Sequence, residues 1–143
     1  MDAKRFLKQV RKLDLLIENK LVERSQWKAI AYGTTANPCD EKVQTSGNPQ
    51  RMSDAICKYI DIEKEIDRCI DAFVDAKNEV IQVIEQLPPT EYDLLHKVYI
   101  QNITLDVVAA MYDKSYSWAT TVHGRALQSV QRILNEMRKD DEE

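Results

Sequence analysis

The residues best suited to catalysis or metal binding are sparse in this chain of 143 residues. His96 and His123 are its two histidines, and its three cysteines form no Cys-x-x-Cys pair. Zinc sites and nucleophile-base sets need such residues in recognisable arrangements, and no glycine-rich phosphate loop is present either. The sequence therefore predicts a protein that is not an enzyme and that needs no cofactor or metal.

The last third of the chain carries residues suited to binding a ligand instead of catalysis. Here basic residues occur among short polar and aromatic ones. Lys97, Lys114 and Arg125 are candidates for contacts with DNA phosphates, because Lys and Arg commonly bind phosphate oxygens in protein–DNA interfaces. Such contacts position a duplex without reading its sequence. Base recognition would require a helix that presents polar side chains to the major groove.

The elements that would position these side chains begin after two consecutive prolines. Pro88 lacks a backbone donor and Pro89 keeps the residue before it out of the α region, so the preceding helix must end there. Thr90 is predicted to cap the next helix. Apolar residues at spacings of three and four predict that this helix runs to about Gln101.

Two further helices are predicted after short turns. Asn102 suits a left-handed helix terminus, and Thr104 is predicted to cap a short second helix. Either Ser115 or Ser117 caps the third. Three helices separated by two short turns are what a helix-turn-helix requires, which predicts a DNA-binding domain over residues 88–139.

This segment resembles region 4 of bacterial sigma factors. The corresponding residues, found without a gap, are Leu87-Pro88, Tyr99, Thr104-Leu105, Val108-Ala109, Tyr112, Ser115, Ala119 and Arg125-Ala126-Leu127. The wider chain is similar to the ArpU/RinA-type family of phage and prophage late-gene transcription activators. That similarity includes the basic amino-terminal segment, the sequence VQTSG at 43–47 and HGRAL at 123–127.

The sigma-like pattern implies which residues of the third helix face DNA. By position, these are Tyr116, Ser117, Trp118, Thr120 and Thr121, with Gly124 farther along the same face. The chain departs from the sigma pattern here, because sigma domains generally carry arginine or other charged residues at several of these positions. Core packing is the alternative for Trp118, depending on which serine caps the helix.

The rest of the chain is also predicted to be helical. Residues 2–31 form an amphipathic helix, residues 33–50 a loop rich in turn-forming residues, and residues 51–87 a long helix with a heptad-like apolar pattern. The predicted fold is all-α. A long helical hairpin or coiled-coil shaft over residues 1–87 forms the oligomerisation region and precedes the sigma-region-4-like helix-turn-helix.

The charge is unevenly distributed around a net value of −4. Residues 1–32 carry eight basic and four acidic residues, and an acidic tail occupies residues 140–143. We expect that tail to be solvated and disordered, or to compete electrostatically with DNA. With no long uncharged apolar stretch, we expect a soluble, cytoplasmic protein of a bacterial host cell that does not bind membranes.

Together these features predict a sequence-specific DNA-binding transcription regulator of phage or prophage origin that activates late genes. The expected partners are double-stranded DNA, other copies of the chain and, by the resemblance, host RNA polymerase. One alternative is a small-terminase-like DNA-recognition subunit of a phage packaging machine. Another is a protein interaction module whose helix-turn-helix has lost DNA binding.

Overall fold

The computed structural model describes residues 1–33 and 49–143, and the regular secondary structure of this part of the chain is entirely helical. The predicted all-α fold class is thus confirmed. Most of the predicted loop 33–50, including the VQTSG segment, lies outside the described residues. The helices are α1 (Ala3–Ala31), α2 (Pro49–Ile84), α3 (Pro89–Leu95), a π-helix (His96–Ile100), α4 (Leu105–Met111) and α5 (Tyr116–Glu142).

The two long helices agree closely with their predicted ranges. Gly33, which has φ of +66°, follows the end of α1. A positive φ costs glycine little, so this residue suits a helix terminus. The start of α2 at Pro49 places the last two residues of the predicted loop in the helix, and its end at Ile84 falls three residues before the predicted one. Leu87 nevertheless stays buried in the turn that follows.

The chain divides into two compact units. The larger unit comprises residues 1–13 and 73–143, and the smaller unit comprises the described part of residues 14–72. This grouping differs from the predicted boundary after Leu87. The first turns of α1 and the last turns of α2 share a core with the carboxy-terminal helices, a relationship that cannot be read from the order of elements along the chain.

The core of the larger unit explains this grouping. Its most completely buried large side chains come from every part of the unit and are Leu7, Val80, Val83, Ile84, Leu94, Leu95, Val108 and Val130. Burying an aliphatic side chain of this size is worth about 1.5–3 kcal/mol. Small residues, Ala109, Ala119 and Ala126, are buried in the same core and allow α4 and α5 to approach closely.

The smaller unit has a much thinner core. Among its described residues, the buried apolar side chains are Ala31, Ala55, Ile62 and Ile66. Lys20 Nζ of α1 also lies 2.7 Å from Glu65 Oε2 of α2. This half-buried pair lies close enough to solvent that screening leaves it a small contribution to stability.

Among the described helices, none has both the length and the apolar character to cross a membrane.

The start of the carboxy-terminal segment differs from prediction in one detail. Thr90 does not cap α3, because the helix already begins at Pro89 with Pro88 as its N-cap residue. Proline is well suited to the first helical position, where its missing N–H would have had no partner inside the helix. After Leu95 the backbone continues as a π-helix to Ile100. The helical segment therefore ends close to the predicted Gln101, but its second part is π-helical instead of α-helical.

The boundaries around the next turn follow the sequence more closely. Asn102 has φ of 58°, as expected for a left-handed terminus. Thr104 occupies the N-cap position of α4, but its side chain makes no capping hydrogen bond. The helix α5 extends to Glu142 through the acidic tail. The tail residues up to Glu142 are therefore helical and exposed rather than disordered.

Candidate nucleic-acid interface

Ser115 fixes where α5 begins. Its backbone is extended, with φ of −76° and ψ of 158°, and its Oγ accepts a hydrogen bond of 3.1 Å from the backbone N–H of Trp118. This is the N-cap arrangement in which a serine side chain satisfies a backbone donor in the first helical turn. Of the two serines predicted as caps, Ser115 therefore fills that role, and Ser117 lies inside the helix.

The amino-terminal half of α5 has two distinct faces. Ala119, Val122 and Ala126 are buried in the core of the larger unit. The predicted base-reading residues Tyr116, Ser117, Thr120 and Thr121 are all exposed. The apolar contacts thus fix the orientation of the helix, and its polar side chains are left accessible to a ligand.

Both threonine hydroxyls on this face are already oriented. Thr120 Oγ1 and Thr121 Oγ1 donate hydrogen bonds to the carbonyl oxygen of Ser117, at 2.8 and 2.9 Å. A hydroxyl that donates to its own helix still has lone pairs with which to accept. The two side chains therefore present acceptors that could bind the amino groups of adenine or cytosine.

Trp118 does not share this exposed face. It is half-buried and packs against the core, with its ring centroid 5.4 Å from that of Tyr112. This position matches the alternative of core packing rather than the outward position implied by the sigma-like pattern. The reason is the residue at which α5 begins. With Ser115 as the N-cap, Trp118 lies on the side of α5 that faces the turn after α4.

Lys97 is held in a network that sequence reasoning missed. Its Nζ lies 2.5 Å from Asp93 Oδ1, and the hydroxyl of Tyr112 donates to the other oxygen of the same carboxylate. The hydrogen bonds from Lys97 and Tyr112 lower the pKa of Asp93. Lys97 is therefore paired inside the protein and is less available for phosphate than predicted. The spacing of four residues between Asp93 and Lys97 was readable from the sequence, whereas the contact from Tyr112 was not.

The other two basic candidates are accessible. Lys114 lies in the turn between α4 and α5, directly after Asp113, which has φ of 53°. Both Lys114 and Arg125 are exposed. They border the exposed face of α5, one before its first turn and one near its middle.

Gly124 lies on α5 where nothing in the described structure crowds it. A Cβ atom built at this position meets no described heavy atom outside the local helix within 4 Å. Close packing of a neighbouring helix therefore does not explain this glycine among the described residues. Close approach of the backbone to a DNA phosphate is compatible with the open space.

The two rings of Tyr99 and His123 connect the π-helix to the middle of α5. Tyr99 is buried, which raises the pKa of its hydroxyl. Burial, and to a smaller extent the positive charge of Lys4, lower the pKa of His123. The lowered pKa favours the neutral form of His123, which packs against the ring of Tyr99.

No protein-family model, curated protein or solved structure matches this chain. The resemblance to sigma region 4 and to phage late-gene activators therefore stays a prediction from the residues themselves.

Proposed function

We propose that this protein is a DNA-binding transcription regulator of phage or prophage type, with the amino-terminal half of α5 as its reading element in the major groove. The observation that carries the proposal is the exposed polar face of that helix, formed by Tyr116, Ser117, Thr120 and Thr121. Activation of late genes and contact with host RNA polymerase are proposed on the resemblance alone.

The relation between α4 and α5 supports a helix-turn-helix. Residues 112–115 separate the two helices, which is within the turn length of this motif. The alanines Ala109 and Ala119 are 2% and 0% exposed, which is consistent with a close crossing of α4 and α5. Such packing would hold the first turn of α5 rigidly, as base recognition requires.

The charge around this face limits how it can bind. Lys114 and Arg125 are the basic residues within residues 114–130, and no acidic residue occurs in that range. Two cations provide few phosphate contacts, whereas stable protein–DNA complexes commonly neutralise several phosphates. We therefore expect either a second basic element in the same protein or a multimer that brings several α5 helices to one duplex.

Self-association is part of the proposal. The smaller unit exposes large apolar side chains on both of its helices, which are Leu15, Leu16, Leu21, Val22, Ile30, Met52, Ile56, Ile60 and Ile70. Extended exposed apolar surfaces commonly mark interaction sites. A second copy of the chain would bury such a surface and would also place two reading helices in one assembly, as in dimeric helix-turn-helix proteins.

The test is selection of bound DNA by the purified full-length protein from a pool of random duplexes. A regulator should enrich a defined sequence, and its affinity for that sequence should fall steeply with salt because phosphate contacts release counterions. Recovery of an unenriched pool, together with an affinity that does not change with salt, would exclude DNA recognition and favour the protein interaction module.

The mass of the assembly separates the proposal from its main competitor. The exposed apolar side chains of the smaller unit would serve equally well in a ring-forming subunit of a packaging machine, which is the second candidate function. Light scattering on the purified protein should give a dimer or another small oligomer for a regulator. A large closed ring would favour the packaging subunit.

A further inference from the structure

The first turn of α1 is bound to the side of α5. The backbone N–H of Ala3 donates to Gln131 Oε1 at 2.8 Å, and Gln131 Nε2 donates to the carbonyl oxygen of Met1 at 3.1 Å. Phe6 and Leu7 are 2% and 0% exposed in the same core that buries the inner face of α5. The start of α1 is therefore attached to α5 by hydrogen bonds, and its apolar side chains belong to the core that α5 shares.

The attachment point lies on the same side of α5 as part of the reading face. Thr120, Gly124 and Gln131 follow one another at intervals of four and seven residues, which places all three on one stripe of an α-helix. Gln131 is about 10 Å along the helix from Gly124, at 1.5 Å per residue. The helix α1 thus begins beside a residue of α5 that is about two helical turns from Gly124, where the backbone of α5 is uncrowded.

These first turns carry the charge that α5 lacks. Residues 1–13 contain five basic residues, Lys4, Arg5, Lys8, Arg11 and Lys12, against the single acid Asp2. All five basic side chains are exposed, and their inward neighbours are the buried Phe6, Leu7 and Val10. The positive charge of Lys4 also acts on His123 of α5, which agrees with a position beside that helix.

We propose that the first three turns of α1 form a second phosphate-binding element, with Lys4 and Lys8 contacting the DNA backbone beside the groove that α5 enters. This proposal rests on the proposed DNA-binding function and adds two phosphate contacts to those expected from Lys114 and Arg125. Lys4 and Lys8 are one helical turn apart, so both can follow a single strand of phosphates. Arg5 and Lys12 raise the local positive potential from the adjoining face.

The experiment compares the full-length protein with the double variant Lys4→Gln, Lys8→Gln on a mixed-sequence duplex, by fluorescence anisotropy between about 50 and about 200 mM salt. Each phosphate contact contributes about 0.9 to the slope of log affinity against log salt, so we expect the slope to fall by about 2. Near 0.1 M salt we expect the affinity to fall roughly tenfold for each lysine that no longer binds a phosphate.

The matched control is the double variant Lys58→Gln, Lys64→Gln, which removes two exposed lysines from α2 in the smaller unit. It has the same change in net charge and should leave the slope unchanged. A second variant, Lys4→Arg, Lys8→Arg, should retain the original slope, because arginine also binds phosphate. Circular dichroism should show that all of these variants keep their helical content.

The possible outcomes distinguish this proposal from the function on which it rests. If Arg125→Ala lowers the slope and the Lys4, Lys8 variant does not, α1 makes no phosphate contact and DNA binding by α5 stands. An equal loss in the Lys58, Lys64 control would also overturn the role of α1, since net charge alone would explain the effect. If the original protein binds the duplex without any salt dependence, both proposals fail.

Discussion

His123 Nε2 lies 2.8 Å from the phenolic oxygen of Tyr99, and the two rings stack with centroids 5.8 Å apart and planes inclined by 20°. Tyr99 belongs to the π-helix and His123 to α5. The pair therefore joins the first carboxy-terminal helical segment to the proposed reading helix through one hydrogen bond and one ring contact. Short π-helical turns are rare and frequently occur at functional sites.

The first prediction concerns pH. Burial favours neutral His123 and lowers its pKa below the ordinary value of 6.5. The unfolded chain then binds the proton more readily than the fold, so the contribution of His123 to stability is complete above about 6.5 and is lost as the pH falls through the lowered pKa. We expect the free energy of unfolding, measured with urea, to decline over this acid range. His123→Gln should remove that part of the decline.

Tyr99→Phe is the informative comparison for the pH effect. It deletes the hydrogen bond but leaves the phenyl ring over His123, and burial is the main cause of the lowered pKa. The variant should therefore be less stable at every pH while retaining the decline in acid. If the free energy of unfolding of the His123→Gln variant still declines to the same extent over this pH range, another titratable group causes the decline.

The second prediction concerns the hydroxyl of Tyr112, which donates to Asp93. Tyr112→Phe should lower the free energy of unfolding by about 1.5 kcal/mol, the lower end of the usual range for a hydrogen bond to a charged group, because Asp93 keeps Lys97 as a partner. Tyr116→Phe is the control, because Tyr116 is 59% exposed and its hydroxyl can bind water instead. Equal stability of the two variants in urea unfolding would contradict a stabilising role for this hydrogen bond.

The same hydrogen bond has an alkaline signature. Burial and the bond to Asp93 raise the pKa of Tyr112 to about 12. Because the fold keeps this phenol protonated, its contribution to stability is present below its ordinary pKa of 10 and is lost as the pH rises towards 12. An absorbance titration of the folded protein should therefore show one fewer late-titrating tyrosine in the Tyr112→Phe variant, in which the buried Tyr99 still has a raised pKa.

The third prediction separates stability from binding at Gly124. Alanine is favoured over glycine inside a helix by about 1 kcal/mol, and a Cβ at Gly124 would meet open space. Gly124→Ala should therefore raise the free energy of unfolding by about 1 kcal/mol. If a DNA phosphate approaches the backbone there, the same variant should bind DNA more weakly. The control is Gln128→Ala, at an exposed position one turn later, which should leave the affinity for DNA nearly unchanged. If the Gly124→Ala variant binds DNA as tightly as the original protein, DNA does not approach the backbone at this position.

The fourth prediction assigns different roles to Arg125 and Thr121. Arg125→Ala should weaken binding to all duplexes by a similar factor and lower the salt slope by about 1, as expected for a phosphate contact. Thr121→Ala should instead change which sequences are preferred, at a cost of about 1–3 kcal/mol for the affected base pair. Competition assays with selected and scrambled duplexes measure both effects. If both variants lost affinity uniformly, Thr121 would have no part in base reading.

Some features of the candidate site could be predicted from local sequence, whereas others could not. The cap at Ser115, the left-handed Asn102 and the buried positions of α5 all depend on residues within about one helical turn, and spacing reveals them. The orientation of Trp118 depends on the side chain of Tyr112 across the turn. The pairing of Lys97 involves that same tyrosine, from a different helix.

The sequence by itself determined that this protein is helical, where most of its helices begin and end, and which stripe of each helix is apolar. These properties depend on backbone preferences and on side chains one turn apart, so a linear pattern is enough to reveal them. Only the tertiary structure decided that the first turn of α1 lies against Gln131 of α5 and that Tyr99 meets His123. Such contacts join residues far apart in the chain, and they depend on how helices cross in a shared core, which no spacing along one helix encodes.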